Sequence, residues 1–150
     1  MPENDETPPI QTVHLDDSLD WFLQNHIEIC LKTGLEMGIT LTVSGAIVSG
    51  ILISGKTYFD ELGDSIQRGV SGSVEVAQAL GKSWKQFTKI YEKPEGVDDD
   101  WEPPLPGYIH LRDARVFAPG GRAIPSNGGV LWRGKLSSID GFSMGNLSAD

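Results

Sequence analysis

With 150 residues, 39% of them apolar and 22% charged, the chain is one domain by length, long enough to bury a core and too apolar to be disordered throughout. Its formal charge of −9 opposes a surface that coats nucleic acid or anionic lipid, because that sign repels phosphate at long range. A single cysteine, Cys30, excludes an intramolecular disulfide and a multi-cysteine zinc site, and it fits a reducing compartment.

In chain order, MPENDETPPI has acids and prolines where an export signal needs a basic start and an apolar run. Residues 1–16 read as a disordered acidic tail, residues 17–147 as one folded domain and residues 148–150 as a C-terminal tail. Residues 1–20 hold six acids and no base. An amphipathic helix starts at Asp17 or Ser18 and carries Leu19, Phe22, Leu23, Ile27, Cys30, Leu31 and Leu35 on one face. It stops at Gly34 or Gly38. Residues 37–55 have no charge over a length that suits a bilayer. Yet Ile39, Leu41 and Val43 alternate with hydroxyl residues, and period two predicts strands at 39–44 and 46–54 joined by a tight turn at Ser44-Gly45. Gly50 inside the second strand predicts a strong bend or a close backbone approach, which suits a small, highly curved barrel. Residues 56–91 turn helical and are broken at Gly69 and Gly72, and residues 92–106, with six acids and one base, read as an exposed acidic, proline-rich loop. Strands follow at 108–117, 130–135 and 138–145, around a Gly/Pro turn region at 119–129. Residues 107–150 reverse the sign of the tail, with five bases and three acids.

This order defines an α+β chain: an N-terminal helix, then a small bent five-stranded β-barrel of Sm-like or SH3-like type, with the helical insertion between strands 2 and 3. The segments TLTVSGAIVSGILISGKTYFDEL, IHLRDARV and VLWRGKLSSID resemble Sm segments in the same order. A more specific resemblance covers residues 17–147. VSGAIVSGILISGKTYFDEL, EVAQAL, IHLRDARVF and PSNGGVLWRGKLSSIDGFSMGNL resemble the gas vesicle protein U family. That resemblance implies a cytoplasmic, non-enzymatic accessory protein associated with gas vesicles, which acts by protein–protein interaction in their assembly, organisation or clustering. Its implied partners are the vesicle shell or other accessory proteins, together with further copies of itself, and neither nucleic acid nor membrane.

No catalytic, cofactor or metal signature appears in the chain. His14, His26 and His110 belong to a tail, a helix and a strand, without ligand spacing. Cys30 falls on an apolar helix face and reads as a core residue. Asp98, Asp99, Asp100 and Glu102 lack the alternation and glycine of a calcium-binding EF-hand loop, since Pro103 stands at the sixth place. Gly120-Gly121 and Gly128-Gly129 lack the Lys-Ser/Thr ending of a phosphate loop. The candidate contact residues are Trp101, an aromatic set among acids and prolines, and Arg112, Arg115 and Arg133, which offer a basic strip on the strands. Trp132 is expected to face the core. An alternative reading, an Sm-like RNA-binding module, rests on Arg133-Gly134 and is opposed by the net charge.

Overall fold

A computed structural model describes residues 18–69 and 71–147. The expected tails, Asp17 and His14 lie outside the described residues. Helix α1, Trp21–Thr33, starts two or three residues later than expected because Asp20 is its cap. The Asp20 carboxylate accepts from the backbone N–H of Phe22 at 2.9 Å and of Leu23 at 3.2 Å, satisfying two of the free donors of the first turn. Gly34 ends the helix in the left-handed conformation, its N–H donating to the Cys30 carbonyl.

Strands β1 (Met37–Val43) and β2 (Ala46–Ile53) form the expected hairpin. Ser44 and Gly45 both take positive φ, 51° and 83°, the mirror-image turn that matches strand twist. Asp140 accepts from Ser44 N at 3.0 Å and ties this turn to the last loop. No helix among the described residues is long and apolar enough to cross a membrane, and the uncharged stretch is this hairpin.

The insertion contains α2 (Gly55–Gly69), α3 (Val74–Lys85) and a 3₁₀ helix, Gln86–Tyr91. The two α-helices cross at Gly63 and Gly81. A Cβ at Gly81 would stand 2.5 Å from the Gly63 carbonyl oxygen, so the backbones touch there. Strand β3 (Tyr108–Phe117) then pairs with β2, and β5 (Val130–Lys135) pairs with the other side of β3. Strand β6 (Gly141–Met144) pairs with β1.

Two expectations are corrected. The sheet has six strands rather than five, because β4 (Ala123–Ile124) adds to the end of β3. It is also an open antiparallel sheet rather than a closed barrel, with order β4-β3-β2-β1-β6 and β5 on β3. Closure would require a ladder between β5 and β6. Those strands are short, and the 3₁₀ turn Leu136–Ser138 separates them while Leu136 inserts into the core.

Leu23, Ile27 and Cys30 of α1 fill the apolar face beside Ile39, Leu41, Val48, Leu52, Ile109 and Leu111. Each fully buried aliphatic side chain contributes about 1.5–3 kcal/mol relative to exposure. The opposite face meets the insertion, where Ile53, Tyr58, Ile66 and Ala77 are buried.

Strand β3 keeps its apolar residues inward by an irregularity. Ile109 and Leu111 are buried, and so are Ala114 and, in part, Val116, which have the other parity. The change occurs at Asp113, in the left-handed region at φ 53°, where the pairing with both β2 and β5 slips by one residue. Gly50 faces this bulge, and a Cβ there would stand 2.9 Å from the Arg112 carbonyl oxygen. Of the two alternatives expected of Gly50, the close backbone approach is present, at the point where the pairing slips. Asp113→Gly should retain stability within about 1 kcal/mol, whereas Asp113→Val, which places a β-branched side chain at positive φ, should lose about 2 kcal/mol. Equilibrium urea denaturation of the two variants checks this, and equal stabilities would contradict it.

Candidate functional site

The sheet face under the insertion carries a polar layer built by β3 and β5. His110 and Arg112 alternate with the core residues Ile109 and Leu111, and Arg133 is the cross-strand partner of His110. His110 is only 3% exposed. Its ring lies 4.5 Å from that of Tyr58 and 5.9 Å from that of Phe59. Burial and the Arg133 charge lower its pKa from 6.5 to about 4, so the ring is neutral at physiological pH. Guanidinium only donates, hence Arg133 Nη1 donates to His110 Nε2 at 2.9 Å and leaves the imidazole proton on Nδ1. The same guanidinium lies 3.8 Å above the Tyr108 ring and 5.6 Å from the Phe59 ring.

Arg133 also lines a pocket of about 190 Å³. Its walls come from Ile27 and Leu31 of α1, Ile90 and Tyr91 of the 3₁₀ helix, and the loop before β3. That loop is exposed over residues 92–100, as expected, and is tied to the body at a few points. Gln24 Nε2 donates to the Pro106 carbonyl at 2.9 Å, Lys32 meets Glu102 at 3.7 Å and Lys56 meets Glu92 at 3.2 Å.

The four candidate contact residues take different environments. Arg112 is held by two acids: Nε donates to both Glu61 carboxylate oxygens at 3.0 Å, and Nη2 to Glu36 at 3.2 Å. The hydrogen bonds to Glu61, then those to Glu36, raise its pKa. Arg115 lies beyond the bulge, with its Nε donating to the Gly128 carbonyl at 3.4 Å and its Nη2 in an ion pair with Asp113 at 3.9 Å. Trp101 is half-buried in the loop, its N–H donating to the Asp98 carbonyl at 3.1 Å. Of the four, Arg133 alone lines the pocket. Trp132 packs against the core cluster.

Cys30 is buried in the core, where desolvation and then the Glu36 charge push its thiol up to about 11. His26 stands apart from His110, against Phe22 and Phe142. Among the described residues no group of three His, Cys, Asp or Glu side chains is placed to hold a metal ion.

An aromatic patch escapes a reading by periodicity. Trp21 is 52% exposed and Phe22 47% exposed, although Phe22 has the spacing of the buried face. The Phe22 ring lies 5.7 Å from Trp21, 4.5 Å from His26 and 5.9 Å from Phe142 of β6. Met144, at the end of that strand, is 51% exposed. Strand β6 is an edge, so the patch adjoins backbone groups that no strand among the described residues pairs. The only sequence signal was two adjacent large aromatics beside the helix cap.

An open antiparallel sheet clad by helices, with exposed aromatic side chains at one edge, places the chain among small α+β proteins. A family model described as "Gas vesicle protein GvpU-like" matches residues 20–147, and the chain belongs to that family. It is thus a gas vesicle-related protein, as its sequence segments led us to expect. No curated protein and no solved structure matches it.

The lowered His110 pKa makes stability depend on pH. Above pH 6.5 the ring is neutral in folded and unfolded chains and contributes no penalty. As pH falls from 6.5 to 4 the unfolded chain takes up the proton first, and stability declines by up to about 3 kcal/mol. His110→Gln should remove this part of the decline, measured as the pH dependence of urea midpoints relative to the native chain. Cys30 should be unmodified by a thiol reagent under native conditions and react within minutes in denaturant; rapid native labelling would show the core open there.

Proposed function

We propose that this chain is a non-enzymatic accessory protein that works beside gas vesicles in the cytoplasm, by contact with the shell or with other accessory proteins and by self-association. The observation that carries this reading is the exposed side chains of Trp21, Phe22 and Met144, with the half-buried Phe142 beneath Phe22, beside the open edge of β6. Aromatic side chains dominate protein–protein binding energy, and a free strand edge adds backbone donors and acceptors to the same surface. Family membership supports the vesicle as the setting.

Charge supports the self-association part. The acidic loop 92–106 and the more basic last third, residues 107–150, provide opposite signs on one chain. Attraction between copies would be screened over a Debye length of about 8 Å at physiological ionic strength. Trp101 in the loop and Arg133 on β5 are the contact residues within this reading. Arg112 and Arg115 are engaged by acids of the chain and would take part in contact only through the donors left over. The RNA-binding alternative is less favoured, since the net charge is −9 and Arg112 is already neutralised.

Trp21→Ser combined with Phe22→Ser should leave the melting temperature within a few degrees, because both side chains are half-exposed, and should cut co-flotation with purified vesicles by about tenfold or more. Undiminished co-flotation of a folded double variant would refute the patch as the contact surface. Light scattering of the native chain across a salt series tests the charge term, which fails if association is the same at low and high salt.

A further inference from the structure

The pocket beside Arg133 has features that the vesicle reading does not use. Its walls are mostly apolar, from Ile27, Leu31, Ile90 and the proline-rich strap. One cation of its lining is held in place: Arg133 donates to His110 Nε2 and stacks over the Tyr108 ring face. No carboxylate among the described residues lies within ion-pair distance of Arg133. Arg112, two residues beyond His110 on the neighbouring strand, has two such acids.

A guanidinium held in place by a neutral imidazole and an aromatic face has given up its rotational freedom before any ligand arrives. It keeps donors that neither His110 nor the rings can satisfy, since the fork has five N–H groups and His110 accepts at one nitrogen. A carboxylate is the natural complement of that fork. The other charged groups of the lining limit how much negative charge fits. Glu28 and Glu102 stand against Lys32 and Arg133, so the lining sums to zero and disfavours a dianion such as phosphate. The volume, about 190 Å³, suits one ring or branched side chain, comparable to cavities of about 150 Å³ that take benzene.

We infer that this pocket binds an apolar monocarboxylate of about single-residue size, its ring or branched chain against Ile27, Leu31 and Tyr91 and its carboxylate on Arg133. Two sources share that chemistry: a free aromatic acid, and the C-terminal residue of a polypeptide ending in an apolar side chain. The proposal rests on neither the aromatic patch at β6 nor the vesicle as partner, and it gives Arg133 a small carboxylate as ligand in place of the protein contact named above.

Calorimetry and ligand-observed NMR with the full chain decide it. The probes are 3-phenylpropionate and its amide, and an acetylated tetrapeptide ending in phenylalanine, with a free carboxylate or a terminal amide. The acids should bind saturably, at least about tenfold more tightly than the matching amides, because a charge-assisted bond to guanidinium is lost in the amide. Arg133→Gln should reduce that ratio to about one, while Arg122→Gln, outside the pocket lining, should leave it unchanged. If Arg133→Gln does not fold, the acid-to-amide ratio on the native chain still decides. Tighter binding of the peptide assigns the site to a chain terminus, and tighter binding of the free acid assigns it to a small molecule. Equal binding of acid and amide, or no saturable binding of any probe at millimolar concentration, would overturn the proposal.

Discussion

Strand β3 is the strand on which the rest of the sheet is arranged, and its conformation is governed by one residue in the left-handed region. Side chains of a regular strand alternate between faces, so Ile109, Leu111, Asp113 and Arg115 would all point toward the core. Burying Asp113 and Arg115 in that apolar cluster would cost several kcal/mol in desolvation. The extra residue at Asp113 shifts the parity instead. Ala114 and Val116 take the inward places, and Arg115 joins His110 and Arg112 in facing outward. Gly50 on β2 makes room for the bulge, and Gly129 approaches it from the other side, since a Cβ there would stand 2.1 Å from the Asp113 carbonyl carbon. Three chain segments therefore depend on the same deviation.

The bend also explains how one strand serves two neighbours on a single edge. β3 pairs with β5 from Tyr108 across the bulge to Ala114, and further on Val116 and Phe117 pair with β4. The outward face before the bulge is polar, and the insertion covers it with matching groups: Glu61 of α2 meets Arg112, while Tyr58 and Phe59 meet His110. An apolar insertion would have stranded a charge on β3. An acid at position 61 and aromatic rings at 58 and 59 instead give each β3 side chain a partner of its own kind.

Much of this was legible in the sequence, because its signals are local. The period of α1, the Ser44-Gly45 turn, the helical insertion and the strands at 108–117 and 130–135 follow from spacing and turn chemistry within a few residues. Even the parity slip can be seen in YIHLRDARVF, where apolar residues at 109 and 111 give way to 114 and 116. Barrel closure was not legible, because it depends on whether β5 and β6 meet, a contact between edges that no local pattern encodes. The cap was misplaced since Asp17, Ser18 and Asp20 are all competent acceptors, and only the emerging helix axis selects Asp20. The candidate arginines were chosen by residue type, while the acid partners of Arg112, Glu36 and Glu61, lie 76 and 51 residues away in sequence. Phe22 has the spacing of a core residue, yet it stands at the end of the buried stripe, where the sheet no longer covers it.

The two arginines of the insertion face show how the fold distributes charge. Arg112 has two carboxylates and is neutralised, and its position between Glu36, just past α1, and Glu61, on α2, makes it a tie between the N-terminal helix and the insertion. Arg133 has a neutral imidazole and a tyrosine ring in place of acids. That support orients the guanidinium without cancelling its charge, and His110 suits the role because burial keeps its ring unprotonated. A carboxylate in place of His110 would quench Arg133, while a lysine or a charged histidine would repel it. The pair therefore preserves one oriented cation at the wall of an apolar pocket in a chain whose net charge is strongly negative, and this is the arrangement on which any anion recognition by the pocket must depend.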